Sequence, residues 1–335
     1  MRVLIATDAW RPQINGVVRS LEHMAEEAPR LGAEVIFLTP ERFRSFPMPT
    51  YPEIRLSLTT PGSIARHLDQ VKPTHVHIAT EGPIGLAMRL ACSRQGRAFT
   101  TSYHTRFPEY VSARTPIPES WSYRALLRFH QSARAMMVST PSLERELTGR
   151  GFRNIMRWTR GVDTNLFRPR SERVLDAAAP VFLYVGRVAV EKNLEAFLGL
   201  DLPGTKVIVG DGPSRSELEV KYPAIRFLGP LTGEDLARVY ASADVFVFPS
   251  LTDTFGIVLL EALASGLPIA AFPVTGPMDV IGSSGCGVLK EDLREAALKA
   301  LDIPHERCRA YGETFTWQES ARQFFSNIEI AHAGP

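Results

Sequence analysis

Short apolar runs recur along the chain, each followed by a longer stretch whose apolar positions return at helical spacing. In the first half the runs are Val3–Thr7, Val35–Leu38, His75–Ile78 and Phe99–Ser102; in the second they are Val181–Val185, Lys206–Val209, Ile225–Leu228, Val245–Phe248 and Pro268–Ala271. Continuous apolar runs of this length suit strands covered on both faces, and their alternation with helices predicts two doubly wound parallel α/β sheets. Phe167–Pro180, rich in Arg, Pro and Ala, breaks the pattern and is the expected linker. The chain closes on a helix with apolar residues at Trp317, Phe324, Phe325 and Ile328. Neither an internal repeat nor a low-complexity segment interrupts this order.

Composition agrees with two soluble-type cores. The 335 residues suffice for two domains of ordinary size, and 44% of them are hydrophobic. No run approaches the ~20 apolar residues of a membrane-spanning helix. The start, Met1-Arg-Val-Leu-Ile-Ala-Thr-Asp8, is expected to be a first strand and not a secretory leader. Cys92, Cys286 and Cys308 are far apart in sequence and lack metal-ligand spacing, so a reducing, cytoplasmic setting and no metal are expected. The net charge of +2 hides an asymmetry: residues 1–165 carry 22 Lys and Arg against 14 Asp and Glu, the remainder 16 against 22. A basic first half suits an anionic surface or an acidic acceptor, although an arginine-rich composition alone would also produce it.

Candidate chemistry concentrates in the second half. Thr252-Asp-Thr-Phe-Gly-Ile-Val-Leu-Leu-Glu261 places Asp253 and Glu261 on either side of a glycine-led helix start. Helix N-termini offer backbone N–H groups to phosphate, and carboxylates nearby accept hydrogen bonds from sugar hydroxyls. The plainer alternative is a turn acid and a helix-capping acid. Val181–Val185 runs into Gly186-Arg187, with Glu191-Lys192-Asn193 following; Val207–Val209 breaks into Gly210-Asp-Gly-Pro213; Arg160-Gly-Val-Asp163 stands at the junction of the halves. Neither Gly16 nor Gly210 and Gly212 complete the glycine fingerprint of a nicotinamide site.

In this order, these segments resemble the retaining glycosyltransferases of family 4, also called group 1. The resemblance spans essentially the whole chain, with one departure: the first acid of the family's Glu-x7-Glu motif is Asp253. It implies a GT-B fold, two Rossmann-like domains facing a cleft, with residues 1–167 binding the acceptor, 168–312 binding the nucleotide sugar, and 313–335 crossing back to the first domain. It further implies that Arg187 and Lys192 bind the donor diphosphate, Glu261 the ribose, and Asp253, Phe255, Gly256 and Ile257 the donor sugar, with Gly210 beside the nucleotide. No cofactor beyond the sugar nucleotide is implied, and no metal: two cations are placed to balance charge on the departing phosphate. With no clear carboxylate nucleophile, a same-face mechanism with retained configuration follows.

First-half motifs agree with less specificity. Pro12-Gln-Ile-Asn-Gly16 lies between strand and helix, where Gly16 lets backbone approach a phosphate or sugar, or simply makes a turn. His104, in Ser102-Tyr-His-Thr105, follows a strand at the edge where open sheets bind ligands; it is read as orienting sugar or acceptor, or as a structural hydrogen-bonder. This loop resembles that of sulfoquinovosyl or glycosyl diacylglycerol synthase-like members. His75 and His77 are expected to be structural. Glu119–Arg134, with Trp121, Tyr123, Arg124, Arg128 and Arg134, is a helix for the core, a membrane interface, or both, with Arg42–Met48 as a second basic, aromatic loop. The expected activity is transfer from a UDP-linked hexose or uronic acid to a lipid acceptor such as diacylglycerol at the inner membrane face, with no nucleic-acid partner. A GDP-mannose-dependent or soluble-glycan transferase, or a non-catalytic sugar-nucleotide-binding protein, are the alternatives.

Overall fold

A computed structural model describes residues 1–11, 16–48, 51–112, 116 and 118–333. The chain divides into two compact units, Met1–Arg160 with Trp317–Pro335, and Gly161–Thr316.

In the first unit the strands are β1 (Arg2–Ala6), β2 (Glu34–Leu38), β3 (Ser45–Met48), β4 (Tyr51–Ser57), β5 (His75–Ile78), β6 (Thr100–Ser102), β7 (Ala135–Val138) and β8 (Ile155–Arg157). Six form a parallel sheet in the order β2-β1-β5-β6-β7-β8, with Val3 opposite both Val35 and His75. The Arg42–Met48 segment, expected as a loop, instead enters an antiparallel hairpin of β3 and β4. Val3, Leu4, Ile5 and Ala6 are wholly buried because helices cover both faces of the sheet. Two of those helices, Pro61–Val71 and Pro141–Gly149, start alike. Thr60 and Thr140 accept the Ser63 and Leu143 N–H at 3.2 and 3.3 Å, and a proline follows each threonine, where no N–H is needed.

The closing helix, Trp317–Ala333, belongs to this unit. Its apolar stripe of Trp317, Phe324, Phe325 and Ile328 is buried, and the Phe324 ring lies 4.6 Å from Trp158 and 4.9 Å from His77. Trp158 Nε1 donates to Ser320 Oγ at 3.1 Å, giving the buried indole a partner.

The second unit contains β9 (Val181–Val185), β10 (Thr205–Val209), β11 (Arg226–Phe227), β12 (Val245–Phe248), β13 (Ile269–Ala271) and β14 (Gly287–Leu289), all parallel in the order β11-β10-β9-β12-β13-β14. Alternate residues of β9 serve different cores: Val181, Leu183 and Val185 on one face, Phe182 and Tyr184 on the other.

Phe167–Pro180 is not a free linker. Phe167 is buried in the second unit's core, the Val174 N–H donates to Ser242 Oγ at 2.9 Å, and Arg170 and Arg173 pair with Glu234 and Asp244. This arginine- and proline-rich segment lies within the unit Gly161–Thr316. Cys286 and Cys308, remote in sequence, are neighbours here: Cys308 Sγ is 3.7 Å from the Cys286 carbonyl, and all three thiols are buried and unlinked. No helix among the described residues is long and apolar enough to cross a membrane.

Candidate functional site

In each sheet two adjacent strands send their chains in opposite directions, which opens a crevice at their carboxyl ends where open α/β sheets bind ligands. In the second unit these strands are β9 and β12. Arg187 lies just beyond β9, Lys192 in the Val190–Lys192 turn after it, and Asp253 in the loop after β12. The two loops meet: Lys192 Nζ is 2.5 Å from Asp253 Oδ1, Asn193 Nδ2 donates to the Pro249 carbonyl at 3.1 Å, and Thr252 Oγ1 lies 3.4 Å from the Glu191 carbonyl. Lys192 and Asp253 keep 18% and 17% of their side-chain surface, so the pair borders solvent instead of being sealed in the core. The second Asp253 oxygen, Oδ2, is buried without a hydrogen-bond partner among the described residues, and so is Ser250 Oγ at the end of β12. A buried acceptor or hydroxyl in this state calls for a further polar partner, water or ligand.

Gly256 leads the Ile257–Ala264 helix with φ +83°, a left-handed conformation; a Cβ there would lie 3.2 Å from both Leu259 Cδ1 and Phe248 Cζ. As the N-cap residue, Gly256 has no side chain with which to cap the helix. Phe255 is buried, whereas Ile257 is partly open. Glu261 lies deep in the helix, 2% exposed, with Oε2 accepting from the Tyr240 hydroxyl at 2.9 Å. Gly210, at φ +135°, is the point where β10 passes against the end of β9: a Cβ would come within 1.9 Å of the Gly186 carbonyl. Its role visible here is close backbone approach, beside Arg187.

In the first unit the corresponding strands are β1 and β5. Asp8 fills that crevice. One carboxylate oxygen accepts the Ile84 N–H at 2.8 Å; the other accepts the Gly85 N–H at 3.2 Å and the Thr80 hydroxyl at 3.0 Å. It therefore caps the Pro83–Arg94 helix, whose own N-cap, Gly82, has no side chain to do so. Burial raises the Asp8 pKa, and the hydrogen bonds oppose the rise. Gly16 is the exposed first residue of the Gly16–Glu27 helix; the rest of its turn, Pro12–Asn15, lies outside the described residues.

His104 follows β6 in the first unit. Its Nδ1 accepts from Arg160 Nη2 at 3.1 Å, and its ring meets Trp158 edge-on at 5.6 Å. Burial, then the charge of Arg160, hold its pKa well below the usual histidine range. His77 is wholly buried between Thr100 Oγ1 at 2.9 Å and Ser102 Oγ at 3.0 Å, and burial pushes its pKa down to about 3. His130 bridges Thr101 and Glu81 at 2.9 and 3.2 Å. No group of three or more metal-ligating side chains is found among the described residues.

Sequence reasoning missed Tyr240, Asn193, Asp8 and Arg160. A signal existed for Tyr240, a phenol in an apolar helix face, whose buried tip needs a polar partner. Asn193 was legible only as part of a Glu-Lys-Asn string; its left-handed φ of +52° is what turns the chain after Lys192.

Comparison with known proteins is consistent throughout. Family models described as "Glycosyl transferases group 1" and "Glycosyltransferase Family 4" match residues 179–303 and 14–166. The chain is 30% identical to sulfoquinovosyl transferase SQD2 of Arabidopsis thaliana over 88% of its own length and 64% of that protein's, so it spans a little under two thirds of that relative. It is 33% identical to a GDP-mannose-dependent alpha-mannosyltransferase of Mycobacterium tuberculosis, covering 86% of this chain and 83% of that one. Sucrose-phosphate synthase from Thermosynechococcus elongatus superposes with a TM-score of 0.80 at 19% identity, covering 99% of each chain, which shows the two-sheet fold.

Proposed function

Because the chain belongs to the group 1, family 4 glycosyltransferases, of GT-B fold, we propose that it moves a sugar, with retained configuration, from a UDP-linked hexose or uronic acid to a lipid acceptor. The observation that carries the donor half is the Lys192–Asp253 pair at the β9–β12 crevice, with Arg187 just beyond β9 in sequence. In this reading Arg187 and Lys192 balance charge that builds on the leaving diphosphate, which accounts for the chemistry without a metal ion. Asp253 Oδ2 accepts from a donor-sugar hydroxyl, Phe255, Gly256 and Ile257 support the sugar through the helix start, and Glu261 accepts from the ribose. The leaving phosphate takes the proton of the acceptor hydroxyl as the new bond forms on the same face. His104 orients sugar or acceptor.

The lipid half is supported by a surface of the first unit. The Glu119–His130 helix buries Tyr123, Leu126 and Phe129, as a core helix does, and presents Trp121, 66% exposed, with Arg124 and Arg128 outward. Arg89 of the Pro83–Arg94 helix donates to the Arg128 carbonyl at 2.9 Å, and Leu86 and Leu90 are exposed on that helix. Exposed aromatic and aliphatic groups among arginines suit a reversible anionic-membrane contact, each cation contributing about 1 kcal/mol.

A second reading, a GDP-mannose donor, is favoured by the 33% identity to the mycobacterial mannosyltransferase. Incubation with UDP- and GDP-linked sugars and membrane lipid extract, with products weighed by mass spectrometry, separates the two. A glycolipid formed from a UDP-sugar is the expected result. Mannosylated product from GDP-mannose alone would replace the donor assignment, and transfer only to water-soluble glycans would end the lipid reading.

A further inference from the structure

Arg160 is the last residue of the first unit and only 6% exposed, yet no carboxylate is among its partners in the described residues. Nη1 donates to the Trp158 and Thr159 carbonyls at 2.7 and 3.1 Å, the guanidinium stacks 4.0 Å over the Trp158 ring, and Nη2 points at His104 Nδ1 at 3.1 Å. Burying a cation this deeply is costly, and two carbonyls and an indole face offset only part of that cost. Its remaining bond is aimed at one atom of one imidazole. A guanidinium has five N–H donors and no acceptor, so the nitrogen it addresses must offer a lone pair.

We propose that Arg160 is a positioning residue that locks His104 as the neutral Nε2–H tautomer, so that His104 serves the transfer site as a fixed hydrogen-bond donor. This rests on the reading of His104 as a site residue. A proton on Nδ1 would oppose two donors 3.1 Å apart, and an imidazolium would add like-charge repulsion beside a cation that cannot withdraw. The charged or titratable groups facing the ring are Arg160, His77 and His130; each disfavours a second proton, and burial acts the same way. His104 thus offers Nε2–H to a sugar hydroxyl or phosphate oxygen across the acid-to-neutral range and is unsuited to act as a general base through that nitrogen.

The test uses full-length protein with 15N-labelled histidine, His104 being assigned by its loss in His104→Gln. Long-range proton–nitrogen spectra should show the Nε2–H tautomer, unchanged from pH 8 to 5. In Arg160→Met, which keeps bulk and removes the donors, the His104 signals should become a tautomer mixture that titrates nearer the ordinary histidine range. In the same variant kcat/KM should fall about tenfold or more and gain an acid limb. His104→Gln, with an amide donor near the Nε2 position, should retain more activity than His104→Leu. A wild-type Nδ1–H or imidazolium signal would overturn the proposal even if the methionine variant failed to fold, and so would an unchanged tautomer in a folded Arg160→Met. A shifted tautomer with full activity in Arg160→Met and His104→Leu would instead remove His104 from the site.

Discussion

The two sheets are close relatives in topology and opposites in what they put at the crevice. Around β9 and β12 the loops bring a lysine and an aspartate together at the solvent edge, with one carboxylate oxygen unpartnered among the described residues. Around β1 and β5 the equivalent place is closed by Asp8, whose oxygens are consumed by two backbone N–H groups and a threonine hydroxyl. A switch point between strands thus holds a Lys–Asp pair at the solvent edge in one unit and a structural cap in the other. The first unit's candidate chemistry, His104, lies after β6, the strand next to β5, where its Nδ1 accepts from Arg160. A crevice at a topological switch point is therefore a location; the side chains that fill it decide whether it binds.

The sharpest way to break this comparison is to remove the charge at the open crevice. Lys192→Ala is expected to lower turnover by about 100-fold or more, as loss of a transition-state charge stabiliser does, while the melting temperature stays near that of the parent. Steady-state rates alongside thermal melts would decide. Unchanged turnover would make the Lys192–Asp253 pair a structural clasp like Asp8.

Asp8→Ala should show the reverse pattern. Three hydrogen bonds are lost and two helix amides left buried, so unfolding free energy should fall by about 1–3 kcal/mol, with nucleotide affinity unaltered in the folded fraction. Denaturant titration combined with nucleotide binding by calorimetry reads both quantities. A stable variant with weakened binding would mean that the first crevice also serves a ligand.

His77 supplies a pH test. Its folded pKa, about 3, lies below the unfolded value of 6.5, so the unfolded chain binds the extra proton first. The neutral folded form contributes full stability above pH 6.5; that contribution drains as pH falls from 6.5 toward 3, at up to about 1.4 kcal/mol per pH unit. Replacing His77 with Gln should flatten this acid limb in melts recorded between pH 7 and 4. A limb of unchanged steepness would assign the acid sensitivity to other groups.

The smallest expected effect is at the surface. Arg124→Ser with Arg128→Ser should change stability by about 0.5 kcal/mol or less, because both side chains are exposed, while reducing sedimentation with anionic liposomes at low salt. Equal sedimentation of parent and variant would detach this helix from the membrane reading.

Much of this was legible in the residues themselves. Long buried strands such as Val181–Val185 and Val245–Phe248 announce themselves because both faces must be apolar, and the helix after Gly256 announces itself because only glycine suits its entry. Strands β7, β8 and β14 were not legible. Ala-Met-Met-Val continues the helical composition before it, and three-residue strands carry too little pattern to be seen without their ladder partners. Likewise Phe167–Pro180 has a linker's composition but a packed segment's contacts, which depend on Ser242, Glu234 and Asp244 being in place.

By itself, the sequence determined the two-sheet architecture, the family, and the residue types available at the donor edge, because hydrophobic periodicity and motif spacing are local properties of the chain. Only the tertiary structure decided which of those residues meet. Lys192 and Asp253, His104 and Arg160, Tyr240 and Glu261, and Asp8 with the Pro83–Arg94 helix are each joined by a hydrogen bond across 21 to 77 positions of chain. Such pairings follow from strand order and loop direction, and a one-dimensional pattern does not encode the distance between two atoms that folding brings together.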